Sequence, residues 1–83
     1  MKITVRYFAS IREAIGTGQE GVDTAAATLG ALRDELIARG GAHASSLARG
    51  RAVRMALNQA LSDESAPLAE GAEVAFFPPV TGG

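Results

Sequence analysis

Cysteine is absent from this 83-residue sequence, histidine occurs once, and neither sign of charge predominates. Without cysteine the chain can form no disulfide, no thiolate metal site and no cysteine nucleophile. The sequence therefore gives no information about the redox state of its compartment. Lys and Arg number 8 against 9 for Asp and Glu, which gives a formal net charge of −1. Because no basic excess is present, nucleic acid is not expected as a partner.

Long hydrophobic runs are also missing. Lys2 is followed by alternating polar and apolar residues, so neither a signal peptide nor a membrane-spanning segment of about 18 apolar residues is expected. A cytoplasmic protein with no membrane partner is therefore the default expectation.

Residues that could carry catalysis or hold a metal are few. His43 stands in a polar stretch and is expected to face solvent. Asp63 with Glu64, and Glu70 with Glu73, lie beside turns, where neighbouring carboxylates are usually solvated. The sequence therefore predicts no metal site, no bound cofactor and no catalytic constellation in this chain.

Alternation of apolar and polar residues predicts the strands of one small domain, and 47% of the chain is hydrophobic. Strands are expected over Lys2–Phe8, Gln19–Asp23, from Val53 onward, at a short edge segment that begins at Leu61, and over Glu73–Phe77. We expect residues 1–77 to form the domain and residues 78–83 to form an extended tail.

Capping signals and helical spacing predict the helices. Ser10 and Glu13 form a capping-box pattern ahead of a short helix over 11–15, which Gly16 would end. Thr28 is expected to cap the main helix. One stripe of that helix should pack on the sheet: Leu29, Leu32, Leu36 and Ile37. The opposite side should face solvent, with a Glu35–Arg39 pair: Arg33, Asp34, Glu35 and Arg39. Residues 42–52 are left open as a loop or a short helix.

Strand parity assigns three apolar residues to the other face of the sheet. If Ile3 points toward the helix, Phe8 points away from it, and the same alternation places Phe77 outside. Leu61 is expected to join them near the base of the tail. Clustered exposed apolar residues mark protein contacts, so these three form a candidate docking surface. The alternative is that the aromatic rings fold back onto the edges of the core.

The tail combines stiffness with a bare backbone. Pro78 and Pro79 prevent continuation of the strand, Val80 and Thr81 follow, and Gly82–Gly83 close the sequence. At about 3.3 Å per extended residue, these six positions could hold the Gly83 carboxylate up to about 20 Å from the sheet. Glycine allows close approach of another molecule, so a narrow active site could accept this tail. The alternative is an ordinary frayed end.

These features together resemble a known family. The element order, the Arg12–Glu13 and Asn58–Gln59 turns, and above all the closing run 73–83 are similar to the small subunit of molybdopterin synthase. The resemblance covers the whole chain, although only the closing run is highly specific. It implies an α+β fold of the ubiquitin-like β-grasp type, with a mixed sheet of four to five strands, one main helix on one face and a flexible C-terminal tail.

The resemblance also implies a function. Such a chain is a sulfur carrier and no enzyme by itself. A ubiquitin-activating-like adenylyltransferase would use ATP and Mg²⁺ to adenylate Gly83, and a sulfur donor would convert it to a thiocarboxylate. The large synthase subunit, in a heterotetramer, would pass the sulfur to a pterin precursor of the molybdenum cofactor.

Two other functions remain open from the sequence. The first is a carrier for thiamine or tRNA thiolation, and the proline pair argues against thiamine carriers because their tails lack it. The second is a protein modifier, or a plain binding module, on the same fold. A modifier would join Gly83 to a lysine amine, whereas a binding module would be indifferent to its last residue.

Overall fold

One mixed sheet of five strands organises the part of the chain that the structure describes. The computed structural model describes residues 1–79. Its elements are β1 (Lys2–Tyr7), α1 (Ala9–Ile15), β2 (Gln19–Asp23), α2 (Leu29–Ala38), α3 (Gly41–Leu47), β3 (Arg54–Leu57), β4 (Ala60–Ser62) and β5 (Glu73–Phe77). The strand order is β2-β1-β5-β3-β4, with β1 and β5 parallel and the other neighbours antiparallel. The predicted α+β class and mixed β-grasp sheet are confirmed, although two short helices accompany the main one.

The core lies between the sheet and the helices. Ile3, Val5 and Tyr7 of β1 are at most 3% exposed, and Val74 and Phe76 of β5 are fully buried. Helix α2 adds its predicted stripe to the same cluster: Leu29, Leu32 and Leu36, with Ile37 half-buried at its margin. The inward parity predicted for β1 and β5 is therefore correct, which fixes the opposite parity of the outer face.

Helix α1 begins earlier than predicted, and the predicted capping box is wrong. Its N-cap is Phe8, in extended geometry and with no capping side chain, and Arg12 N–H donates to the Phe8 carbonyl at 3.3 Å. Ser10 and Glu13 are exposed residues inside the helix, because the chain turns directly out of β1. Gly16 ends the helix as predicted, with φ of 91° and its N–H on Arg12 O.

Helix α2 begins as predicted but carries one misassigned residue. The Thr28 hydroxyl accepts a hydrogen bond from Ala31 N–H at 3.2 Å, as a capping threonine should. Arg33, which was expected to face solvent, is only 4% exposed. Its Nε donates to the Leu47 carbonyl at 2.7 Å and its Nη2 to the Ala48 carbonyl at 2.8 Å. The guanidinium thus satisfies carbonyls that the end of α3 leaves without intrahelical partners.

The carboxylate of Glu64 was expected to be solvated, and this expectation is wrong. Arg33 Nη1 lies 3.1 Å from its Oε2, and Arg49 donates to its other oxygen. Arg49 also binds Asp34 Oδ1 at 2.9 Å. Glu64 therefore ties α2 to the segment after β4, while its neighbour Asp63 stays exposed and accepts hydrogen bonds locally from Ser65.

The predicted Glu35–Arg39 pair does not form. Glu35 accepts the Thr24 hydroxyl at 2.7 Å, and Arg39 Nη1 binds Glu20 Oε1 at 3.0 Å. Both side chains reach sideways to β2 and the segment after it. Tertiary partners have therefore replaced the helix-surface pair, which in isolation stabilises a helix by only about 0.2–0.5 kcal/mol.

The sequence left open whether residues 42–52 form a loop or a short helix. The first part of this range belongs to helix α3, which includes His43. The prediction that His43 faces solvent is wrong: its side chain is 17% exposed and its Nε2 donates to Glu20 Oε2 at 2.9 Å. The Tyr7 hydroxyl donates to the same oxygen at 2.6 Å, and the Tyr7 and His43 rings meet edge to face. With Arg39, three donors from three elements converge on Glu20.

The environment of Glu20 moves two ionisation equilibria. Burial by itself raises the pKa of the Glu20 carboxyl, but the hydrogen bonds from Tyr7, His43 and Arg39 together outweigh it and lower the pKa to about 2. Burial, and then the hydrogen bond to Glu20, raise the pKa of the Tyr7 hydroxyl, so it remains protonated as the donor. The carboxylate is therefore held charged at an edge of the core.

The variant Glu20→Gln should lose part of the acid sensitivity of the fold. The folded pKa of about 2 lies below the ordinary 4.5. The stabilisation from the carboxylate is therefore complete above pH 4.5 and is lost as pH falls toward 2. Urea unfolding at neutral pH and near pH 3 should show a smaller drop in the free energy of unfolding for the variant than for the natural chain. Glu13→Gln, on exposed α1, should keep the natural drop; equal drops in all three proteins would contradict the assignment.

A tight hairpin sets the position of β4. Asn58 and Gln59 have φ of 50° and 70°, the paired positive values of a two-residue type I′ turn. The Asn58 Oδ1 accepts the Glu73 N–H at 3.0 Å, which anchors the turn to β5. The predicted turn is confirmed, and it places Leu61 directly across from Ala56.

Candidate functional site

The two central strands bring the predicted aromatic residues together. Because β1 and β5 are parallel, with Tyr7 beside Phe76, the next residues Phe8 and Phe77 lie at the same end of the sheet. Phe8 N–H donates to the Phe76 carbonyl at 3.2 Å. Residues 78–79 continue from this edge and are half-buried. The base of the tail is therefore flanked by one aromatic ring from each strand.

The outer face of the sheet carries an apolar surface beside that base. We define the outer patch as Phe8, Leu61 and Phe77, which are respectively 38% exposed, 67% exposed and half-buried. Ala56 pairs with Leu61 on one side and with Ala75 on the other. Both alanines are small, and Arg54, which pairs with Phe77, is the large side chain beside this row on the same face.

A hollow links Leu61 to the base of the tail. It has a volume of about 550 Å³, and its lining includes Arg54, Leu61 and Pro79. Arg54 pairs with Phe77 across β3 and β5. A partner that covers Leu61 would therefore also reach the start of the tail.

Arg6 was predicted to lie on this face with Phe8, but the sequence analysis gave it no functional role. Its guanidinium carbon lies 5.2 Å from the centre of the Phe8 ring, and its Nη1 lies 3.7 Å from Glu73 Oε2. Its Nε is buried and has no hydrogen-bond partner within residues 1–79. A buried donor without a partner costs about 1–3 kcal/mol. The side chain as a whole is 40% exposed, so a docked protein would contact its outer part beside Phe8. The signal was available, since Arg6 shares the outer parity of Phe8.

Two further features are absent from the described residues. Residues 1–79 hold no group of three or more His, Asp or Glu side chains placed to bind a metal ion. None of the helices in that range has the length and apolarity needed to cross a bilayer.

The tail residues themselves are known only from the sequence. The predicted tail roles of Val80, Thr81, Gly82 and Gly83 lie outside the described residues. A comparison of sequences does reach them: the model of the ThiS family matches residues 5–83. The chain belongs to the ThiS family. The match runs from Val5 within β1 through the outer patch to the glycine pair.

A named relative agrees with this assignment along the whole chain. The chain is 43% identical over 81 residues to the molybdopterin synthase sulfur carrier subunit of Escherichia coli, which covers 98% of this chain and 99% of that protein. The alignment therefore leaves almost no part of either ThiS-type chain unmatched.

Solved structures share the fold. Subunits 1 and 2 of molybdopterin-converting factor from Helicobacter pylori form a protein–protein complex, and one chain matches with 28% identity, full coverage of both chains and a TM-score of 0.70. SAMP1, a small archaeal modifier protein from Haloferax volcanii, matches with 27% identity, full coverage of both chains and a TM-score of 0.79. Members of this fold group thus include both a cofactor-pathway subunit and a modifier.

Proposed function

We propose that this chain is the sulfur carrier subunit of a molybdopterin synthase. The observation that carries the proposal is end-to-end identity of 43% with a protein of that name. The scaffold agrees, because the proline pair follows strand β5 directly in the sequence and the glycine pair closes the same tail. In this role the chain supplies the sulfur and the surface that its partners recognise, and the catalytic groups belong to the partners.

The reacting group in this proposal is the carboxylate of Gly83. A carboxylate resists nucleophilic attack because its charge is delocalised, so it must first be activated. A ubiquitin-activating-like adenylyltransferase would use ATP and Mg²⁺ to form the acyl adenylate. The terminal sulfur of a donor persulfide would then displace AMP to give an acyl disulfide. A second thiol would cleave its S–S bond, which releases the thiocarboxylate and leaves a disulfide on the donor side. No side chain at Gly82 or Gly83 obstructs either active site.

The second partner in this proposal is the large synthase subunit. The Helicobacter pylori complex of subunits 1 and 2 supports a pairing of this kind. Within a heterotetramer, each tail would enter a large subunit and give its sulfur to the pterin precursor. Two sulfur atoms are needed for one dithiolene, so each product requires two loaded carriers or one carrier that is loaded twice. We place this chemistry in the cytoplasm.

The outer patch is proposed as the docking surface for these partners. Phe8 and Phe77 flank the base of the tail, and Leu61 lies on the same face across two alanines. Arg6 and Arg54 rim the patch, so a fitting partner surface is apolar at its centre and acidic around it. Docking there would direct the tail toward the partner's cleft.

Phe77→Ala should weaken the complex with the large subunit at least about tenfold, because a half-buried aromatic ring at an interface centre is a typical hot spot. Calorimetric titration of the purified subunits measures the effect. Asp23→Ala, on the far edge and at the opposite end of the same sheet, should bind normally. Unchanged affinity together with a large loss of stability in Phe77→Ala would instead make this ring part of the core.

A protein modifier remains a second candidate, favoured by the structural match to SAMP1. In that case Gly83 would form an amide with a lysine amine, with no sulfur retained. The lower identity of 27% to that chain, against 43% to the carrier subunit, ranks this function second. Detection of a stable lysine adduct through Gly83 in the native host would reverse the ranking.

A further inference from the structure

The edge of the sheet formed by β2 lies opposite to the edge formed by β4. Tyr7 N–H donates to Gly18 O at 3.0 Å, and Thr24 N–H donates to Met1 O at 2.9 Å. In an antiparallel pair these bonds alternate along the strand. The backbone groups of Gly21 therefore point away from β1, toward the open edge.

Two residues of β2 present free backbone groups there. The Gln19 carbonyl accepts the Thr17 hydroxyl at 3.0 Å. Gly21 and Asp23 have no such partner for their outward groups within residues 1–79. Native edge strands are commonly blocked by proline or by charged side chains, especially lysine. β2, with the sequence QEGVD, has no proline or lysine, and its two charges are the carboxylates of Glu20 and Asp23. This edge can therefore accept hydrogen bonds from another extended strand and donate them to it.

Hollows lie on both sides of the same edge. The hollow toward α2 measures about 450 Å³, and its lining includes Val22, Glu35 and Leu36. The hollow on the outer face measures about 510 Å³, and its lining includes Thr4 and Gly21. A Cβ at Gly21 would meet no atom within 4 Å, so the space beside the strand is open. An added strand would direct alternate side chains into the two hollows.

The charge of this edge selects the occupant. Carboxylates outnumber cations among the residues that line the two hollows: Glu20, Asp23, Glu35 and Glu70 against Lys2 and Arg39. In an antiparallel pairing of β2 with β2 of a second copy, acidic edge would face acidic edge, which is unfavourable. A basic segment of another protein fits better.

We propose that the β2 edge binds an extended, basic peptide segment of a partner protein as a sixth strand. Hydrogen bonds to Gly21 and Asp23 would supply affinity, and the acidic hollows would select lysine or arginine side chains. Gly21 and Asp23 pair with Thr4 and Lys2, in the half of β1 that lies away from Phe8, so the two surfaces share no residue and both can be occupied together. The site therefore goes beyond sulfur transfer and does not depend on it.

The test uses the full chain, labelled with ¹⁵N, and a blocked peptide of alternating valine and lysine. Titration should shift the amide signals of Gly21 and Asp23 more than those of β4. Gly21→Pro removes the outward N–H while leaving the ladder to β1 intact, as proline permits at an edge. It should weaken binding about tenfold, the effect of one lost hydrogen bond and its displaced neighbours. The matched control Gly21→Ala keeps the N–H and should bind normally.

Further measurements separate backbone pairing from simple charge attraction. An N-methylated peptide with the same charges should not bind, and Asp23→Lys, which leaves the backbone unchanged, should weaken the unmodified peptide about tenfold. Equal binding of the N-methylated peptide, or equal affinity of the proline and alanine variants, would overturn the proposal. So would failure of the valine–lysine peptide to bind the natural chain. A dimer of the free chain that Gly21→Pro dissociates would also overturn it, because the occupant would then be a second copy.

Discussion

Deletion of Gly83 should abolish formation of the acyl adenylate and therefore all sulfur transfer, while the fold is retained. The activating enzyme must place one specific carboxylate against ATP, and a tail one residue shorter cannot reach the same position. Addition of one residue beyond Gly83 should have the same effect, since the new carboxylate lies about 3.3 Å further on. Pyrophosphate release in a reconstituted reaction with the adenylyltransferase measures the step.

Val80→Ala is the matched control for these tail variants. It changes a tail side chain but keeps both glycines and the length of the tail. Adenylation should persist in this variant, and circular dichroism should be unchanged in all of them. Normal activity of the shortened or lengthened chain would contradict the proposed role of the Gly83 carboxylate.

Leu36→Ala should have the largest effect on folding. Leu36 is 1% exposed in the centre of the α2 stripe, so truncation leaves a cavity as well as losing apolar burial. The expected cost is about 2–5 kcal/mol of the free energy of unfolding, a large share of the stability of so small a domain. Urea denaturation gives this value directly.

Leu61→Ala makes the same chemical change on the outer patch. Leu61 is 67% exposed, so the free energy of unfolding should shift by no more than about 0.5 kcal/mol. Its complex with the large subunit should nevertheless weaken. The reverse outcome, with Leu61 critical for folding and Leu36 neutral, would show that the two faces have been assigned incorrectly.

Periodic patterns explain why most of the fold could be predicted. Strand parity placed Val5 and Phe76 in the core, and local turn chemistry placed Gly16 and Asn58, because these features depend on neighbours in the sequence. Arg33 was missed because its partners are the Leu47 and Ala48 carbonyls, which helix α3 supplies. No spacing rule on one helix reveals a partner on another.

One part of the candidate site could likewise be predicted from the sequence, and another part could not. Phe8 and Phe77 follow from parity alone, and the parallel pairing of β1 and β5 then brings them together. The convergence of Tyr7, Arg39 and His43 on Glu20 has no local signature, since each lies on a different element. Sequence reasoning therefore predicted which residues share the outer face and missed the polar network.

The intact mass of the chain isolated from its native host tests the central claim most directly. The account predicts a species heavier than the unmodified chain by the difference between one sulfur and one oxygen atom, with fragmentation that assigns the sulfur to Gly83. A host that is actively making molybdenum cofactor but contains only the plain carboxylate, or Gly83 joined to lysine amines, would contradict it.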